Sequence, residues 1–289
     1  MSTAPGAVLI TGCSSGIGQA TAARLAAKGW TVYATARRPD SIADLAEAGC
    51  RTLALDVTDE GSMRAAVAAV EESEGAVGAL VNNAGYSQSG ALETLPMGKL
   101  RAQFETNVFG LVRMCQLVLP KMREAGRGRI VNLSSMGGKL TFPGGGAYHG
   151  TKYAVEALSD ALRWEVRGFG VRVVIVEPGL ITTRFGETAA GSLGEDEPAA
   201  ASADDPYAEF NAAVGAATVG VYEGPMARLG AGPEAVAKVI ERALSSRNPR
   251  PRYKVTASAR LAMAQRSLLP DRAWDAVLRS QFPSPGPPG

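Results

Sequence analysis

The sequence predicts an α/β fold: a doubly wound, parallel, seven-stranded sheet held between two layers of helices, α/β/α. Two observations lead there. Short β-branched runs alternate with longer stretches of helical periodicity, and the runs are apolar throughout, as in parallel strands covered on both faces. A glycine-rich turn then joins the first run to the first helix, where such folds bind phosphate.

Taken in order, Val8-Leu9-Ile10 is the first strand, and a helix follows from about Ile17 to Lys28, stopped by Gly29. Further strands are expected at Thr31–Ala36, Thr52–Leu55, Ala79–Val81, Ile130–Leu133, Val171–Val176 and, more weakly, Tyr253–Val255. From Phe104, the recurrence of Val108, Leu111, Val112, Cys115 and Leu119 is one stripe of a long buried helix, with Asn107 inside it beside the stripe. Val236, Val239, Ile240, Ala243 and Leu244 form another stripe, with Pro233 suited to its first turn. Between Phe185 and Gly232 periodicity gives way to Ala, Gly and acidic residues, so residues 184–232 are expected to be a substrate loop or lid. Residues 282–289 are expected to be a disordered tail. The strands of one sheet, with the segments that connect them, span most of the 289 residues, so the whole of 1–289 is expected to be one domain.

Composition narrows the function. With 30 basic and 28 acidic residues the net charge is +2, no global field for nucleic acid or an anionic membrane. No apolar run reaches spanning length and the N-terminus lacks a basic, apolar leader, so a cytoplasmic protein is expected. Three scattered cysteines and one histidine, His149, supply no metal-site spacing, and no metal is expected.

Gly12, Gly16 and Gly18, in Thr11-Gly12-Cys13-Ser14-Ser15-Gly16-Ile17-Gly18, depart from the G-x-G-x-x-G spacing but keep its logic: backbone that turns sharply and offers N–H groups to a pyrophosphate. The same stretch satisfies G-x-S-x-G, the nucleophile elbow of a serine hydrolase with Ser14 as nucleophile. That reading needs a histidine after an acid, and His149, mid-chain, is the only candidate. At the end of the second strand Ala36 stands where an acid would bind a ribose 2′-hydroxyl, and Arg37 and Arg38 follow it. Guanidinium can clamp a 2′-phosphate, so NADP(H) is favoured over NAD(H), with Arg37 the better candidate and a solvated turn the alternative. Asp56, between Leu55 and Val57, could accept from an adenine amine or cap the next helix.

Tyr148 and Lys152 are four residues apart, on one face of a helix. A free phenol is a poor acid or base at neutral pH, and a nearby ammonium favours its anion, so Lys152 is expected to pull the Tyr148 pKa down. Ser135 ends the fifth strand, at the carboxyl edge where open α/β sheets bind ligands.

With these residues in place the chain resembles the short-chain dehydrogenase/reductase family over roughly residues 5–255. The motifs are Thr11 to Gly18, Asn82-Asn83-Ala84-Gly85, Asn107, Ser135, Tyr148-x-x-x-Lys152 and Pro178-Gly179. Cys13-Ser14-Ser15, Tyr33-Ala34-Thr35-x-Arg37 and, more weakly, Arg252–Arg272 are similar to the branch of 17β-hydroxysteroid and retinol dehydrogenases. The resemblance implies a Rossmann-type sheet and hydride transfer between nicotinamide C4 and a carbinol or carbonyl carbon. Tyr148 would be the general acid/base, Lys152 would hold the nicotinamide ribose, Ser135 would orient the substrate oxygen, and Asn107 would fix a water of a proton relay. Asn83, with Ala84 and Gly85, would support the cofactor-side loop; Pro178-Gly179 would turn under the nicotinamide, with Ile181 and Thr183 at its carboxamide. Val57 would join Asp56 at the adenine end, and a homodimer or homotetramer through the helices bearing Asn107 and Tyr148 is implied as well. His149 stands where a small or apolar residue is usual and is expected to be a bystander or pocket wall. Met136, Phe142, Tyr86 and Phe185 suggest an apolar pocket for a lipophilic ketone or secondary alcohol. A non-enzymatic NADP-binding regulator on the same fold is the competing reading.

Overall fold

The computed structural model describes residues 6–183, 191 and 205–285. Seven strands, β1 (Val8–Ile10), β2 (Val32–Ala36), β3 (Arg51–Ala54), β4 (Ala79–Asn82), β5 (Gly128–Leu133), β6 (Val171–Glu177) and β7 (Arg252–Lys254), form one sheet in the order β3-β2-β1-β4-β5-β6-β7. Every pairing is parallel, so each pair of neighbours in sequence needs a crossover, and helices supply it. Each expected strand is present, shifted at its ends by one or two residues.

The period of two along each strand divides the core between the faces. Val8, Ile10, Ala34, Val81, Val131, Val174 and Val176 point to one side, against Leu25 of α1 (Gly16–Ala26) and Val236, Ile240 and Leu244 of α8 (Pro233–Ser245). Leu9, Tyr33, Leu80, Ile130 and Val173 point to the other, against α3 (Glu60–Glu74), α5 (Gly110–Glu124) and α6 (Gly146–Glu165). The short helix α2 (Ala43–Glu47) lies between β2 and β3, and α4 (Met97–Phe104) leads through a π-helical turn, Glu105–Phe109, into α5.

Two expectations change. The stretch without periodicity contains a helix, α7 (Ala208–Glu223), which buries only Phe210 and Val214; seven of its other fourteen residues are alanine or glycine, so no apolar stripe marks it in the sequence. Phe282, assigned to a disordered tail, packs with Tyr207 on the cluster of Ala91, Phe210 and Val214, while residues 286–289 lie outside the described set. Two further helices, α9 (Ala257–Leu268) and α10 (Asp271–Arg279), bring Ala259, Met263 and Trp274 onto Leu140, Met136 and Phe142. Among the described residues no helix is long and apolar enough to cross a membrane.

Candidate active site

The strand order reverses at β1, which pairs with β2 on one side and β4 on the other, with Ile10 level with both Ala34 and Val81. Their carboxyl ends therefore open a crevice at this switch point, the usual ligand site of such sheets. The glycine turn lines it. Gly12 has φ +71° and lies so close to the next loop that a Cβ on it would come within 2.9 Å of Ala84 Cα. A Cβ on Gly18 would sit 2.3 Å from Gly12 O and 2.5 Å from Asn83 Nδ2. Asn83 ties the two loops together: its Nδ2 donates to Thr11 O at 3.0 Å and Gly12 O at 2.9 Å. Thr11 Oγ1 in turn accepts from the N–H groups of Asn83 and Ala84, both at 3.0 Å, a fastening the sequence reading gave no role.

Ser14 and Ser15 are exposed at the start of α1, and Ser15, extended, leaves the helix N-terminus without a side-chain cap. Ile17 follows, partly buried, and Thr183 approaches Gly16, within 3.3 Å of where its Cβ would be. Arg37 and Arg38 are exposed, and neither side chain is held by another among the described residues. Asp56 Oδ1 accepts from Thr58 N at 2.9 Å and Thr58 Oγ1 at 2.7 Å; Asp59, not Asp56, caps α3 through Ser62 N. Val57 is buried against Gly110, where a Cβ would come within 2.4 Å of Val57 O.

The reactive set gathers at the same edge. Ser135 leaves β5 in extended conformation and its Oγ accepts from Gly137 N at 3.0 Å. Tyr148 and Lys152 share one face of α6; Lys152 Nζ is 5.7 Å from the centre of the Tyr148 ring and donates to Leu133 O at 2.8 Å. Burial pulls the Lys152 ammonium down to about 8. It pushes the Tyr148 phenol up to about 12, opposed by a hydrogen bond with Ser135 and reinforced by the Tyr222 phenol of α7. The expectation of an ammonium-lowered phenol is therefore not met: burial disfavours the charged form of both groups. Tyr222, a residue the sequence did not single out, marks where the 184–232 stretch reaches the site.

Asn107 occupies the π-helical turn and is buried. Its Nδ2 donates to Tyr86 O at 2.9 Å and Thr151 Oγ1 at 3.1 Å, and its Oδ1 accepts from Tyr86 N at 3.1 Å. It flanks Gly85 together with Lys152: a Cβ there would be 3.0 Å from Asn107 Oδ1 and 3.9 Å from Lys152 Nζ. Pro178 O accepts from Met136 N at 2.8 Å, joining the β6 turn to the serine loop. Gly179 has no room for a side chain, since Thr256 Oγ1 would lie 2.3 Å from its Cβ. Ile181 is buried in the core and bridges Ala231.

His149 is more than a bystander. Its Nε2 accepts from Phe142 N at 3.3 Å and its Nδ1 donates to Gly137 O at 3.0 Å, the only tautomer consistent with a backbone N–H at Nε2. With both ring nitrogens engaged in that loop, His149 cannot serve as base to Ser14, and the hydrolase reading has no triad. Leu92, Phe142, Tyr207, Phe210, Trp274 and Leu278 line a neighbouring cavity of about 500 Å³. Phe185, expected in the pocket, lies outside the described residues. The glycine cradle and the uncapped helix terminus fit the pyrophosphate of a dinucleotide.

A family model described as short chain dehydrogenase matches residues 6–192. The chain is similar to an uncharacterized oxidoreductase, YbbO, of Escherichia coli K12, at 36% identity over 94% of this chain and 93% of that one. It is 43% identical to a 3-ketodihydrosphingosine reductase of Bacteroides thetaiotaomicron over 63% of this chain and 66% of that one. A short-chain dehydrogenase of Streptomyces avermitilis superposes with a TM-score of 0.75 at 36% identity, covering 95% and 98% of the two chains. A serine dehydrogenase in its closed form with NADP+ superposes at 0.72, with 27% identity and coverages of 86% and 94%. Seven parallel strands, the glycine turn at their switch point and the tyrosine–lysine helix thus belong to one lineage: the chain is a member of the short-chain dehydrogenase family of oxidoreductases.

Proposed function

We propose that this protein is an NADP(H)-dependent reductase of lipophilic ketones, and in reverse a dehydrogenase of the secondary alcohols, with Tyr148 as general acid/base. The observation that carries the reading is the meeting of Ser135, Tyr148 and Lys152 at the sheet edge that also holds the glycine cradle. NADP(H), when bound, supplies the hydride.

The chain's own residues do the rest. Gly12, Gly16 and Gly18 leave space for a pyrophosphate at the α1 terminus beside Ser14, Ser15 and Ile17, and Arg37, seconded by Arg38, takes the 2′-phosphate. Asp56 and Val57 border the adenine; Asn83, Ala84, Gly85, Pro178, Gly179, Ile181 and Thr183 border the nicotinamide end. Ser135 holds the substrate oxygen while Tyr148, kept protonated by burial, donates to it in reduction. Lys152 holds the ribose, and Asn107, facing it across a residue without a side chain, positions the relay water. The aromatic cavity beside Phe142 supports a steroid-, retinoid- or polyketide-like substrate, as does similarity to a reductase named for a ketosphingoid. A cytoplasmic homodimer or homotetramer completes the proposal, joined through the α5–α6 face where Phe109, Tyr153, Leu158 and Trp164 are exposed.

Screening NADPH and NADH oxidation against steroid, retinoid, quinone and polyketide-like carbonyls tests the reading. Tyr148→Phe is expected to lower turnover by about a thousandfold while NADPH still binds. A biological output that survives Tyr148→Phe would favour the regulator; turnover that survives it would remove Tyr148 from the chemistry.

A further inference from the structure

One buried titratable ring beside the reactive set takes no part in the proposed reaction, and its contacts are specific. His149 lies on the first turns of α6, directly after Tyr148, and is 8% exposed. Its Nδ1 donates to Gly137 O, and the N–H of the same Gly137 donates to Ser135 Oγ at 3.0 Å. Its Nε2 accepts from Phe142 N, five residues further along the same loop. The ring fills a slot made by two glycines: a Cβ on Gly137 would come within 2.5 Å of Nδ1, and a Cβ on Gly145 within 2.7 Å of Nε2. The imidazole also meets the Tyr148 ring edge-on at 5.7 Å and the Phe142 ring at 6.0 Å.

We infer that His149 is a positioning residue: it clips the loop from Ser135 to Phe142 onto the catalytic helix and, through Gly137, fixes the direction of the Ser135 hydroxyl. The inference rests on the reading of Ser135 and Tyr148 above. Its physical basis is hydrogen-bond accounting. A serine oxygen that accepts from Gly137 N–H has its hydroxyl proton directed elsewhere, towards an oxygen it shares with Tyr148. If Gly137 swings, that proton loses its direction. The second bond, at Phe142, holds the first aromatic residue of the cavity wall, so one ring sets both the reacting oxygen and the edge of the pocket.

Only neutral His149 can do this, because an imidazolium would point an N–H at the N–H of Phe142. Burial favours that neutral form and lowers the ring below its usual range, against the bond to Gly137. The groups around it are the Tyr148 phenol on its own helix, the Ser135 hydroxyl and the Phe142 ring. Lys139 of the same loop is turned away to Glu156 at 2.9 Å, and no charged side chain among the described residues acts on the imidazole.

Two substitutions separate the clip from bulk packing. His149→Phe keeps a ring in the slot and removes both bonds; His149→Asn keeps a donor within reach of Gly137 O. With a ketone found in the screen, His149→Phe is expected to lower kcat by tenfold or more, with NADPH affinity unchanged and with the acid-side loss of activity that protonation of His149 brings abolished. His149→Asn is expected to recover kcat to within about threefold of wild type. In the Ser135→Ala background His149→Phe should lower kcat no further, since on kcat the two act through one hydroxyl, and any remaining effect falls on KM through Phe142. If His149→Phe retains wild-type kcat and pH profile, or adds its full loss to that of Ser135→Ala, the inference fails. Should His149→Phe not fold, His149→Leu, which also lacks both ring nitrogens, carries the same comparison in both backgrounds: an equal loss in each overturns the clip. Were the functional reading itself wrong, Tyr148→Phe and Ser135→Ala would already be active, which distinguishes the two failures.

Discussion

Arg37 is where cofactor choice is decided. Its guanidinium, at the end of β2, is exposed and, among the described residues, unengaged by other side chains, whereas Arg51, at the start of the neighbouring β3, is bound to Tyr33 and Glu74. Arg37→Ala is therefore expected to weaken NADPH binding by about tenfold or more, the worth of a charge-assisted pair, and to leave NADH nearly unchanged, as titration of intrinsic fluorescence would show. Equal losses would refute the clamp. Residues of this kind were legible because their chemistry needs no neighbours to be recognised: Tyr148 and Lys152 are four apart on a helix, and three glycines sit in a strand–helix turn. His149 and Tyr222 were not, since their partners, Gly137 with Phe142 and the Tyr148 phenol, come together only in the fold. The direction of the Tyr148 shift was misread for a related reason. Spacing shows the nearby ammonium but not the burial that overrides it.

At the scale of elements, the π-helical turn between α4 and α5 exists around Asn107, whose amide satisfies both the N–H and the C=O of Tyr86. Asn107→Leu leaves the Tyr86 N–H unpaired and its C=O with Gln103 Nε2 alone, and is expected to destabilise the protein by about 1–3 kcal/mol in urea unfolding, as well as to lower activity. An unchanged midpoint would mean that the turn is held by something else. A second polar ladder runs beneath it: Asn82 Nδ2 donates to Asn132 Oδ1 and Asn132 Nδ2 to Ser159 Oγ, both at 2.9 Å, tying β4 and β5 to α6. The strands were readable because apolar runs between helices have one interpretation, and their parallel register puts Thr11, Asn83, Ser135 and Pro178 at one edge. Helix α7 was hidden because it buries two side chains where α8 buries five, so the stripe that reveals a helix is missing.

For the whole molecule, β6, β7 and α6 are joined by an ion cluster that no sequence spacing announces. Glu156 pairs with Lys139 and Arg252, Arg252 also reaches Asp160, and Glu177, fully buried at the end of β6, lies 3.5 Å from Arg252 Nε. Burial, reinforced by Glu156, pushes the Glu177 carboxyl well above the usual carboxylate range. A raised native pKa means that the folded state binds more protons, so stability falls as pH rises from the ordinary value of about 4.3 to the raised one. Glu177→Gln, which cannot ionise, should raise Tm by about 2–4 °C at pH 8 and by nothing at pH 4; a lower Tm at pH 8 would show that the charge is stabilising. Light scattering in solution tests assembly, which predicts a dimer or tetramer that Trp164→Glu dissociates. The central claim is that a phenol on α6 meets the nicotinamide at the carboxyl edge of the sheet. A crystal structure with NADP+ tests it most directly: the account predicts the pyrophosphate on the Gly12–Gly18 turn, the 2′-phosphate at Arg37 and nicotinamide C4 on the side of Tyr148 and Ser135, whereas a nicotinamide lying away from the Tyr148 hydroxyl would contradict it.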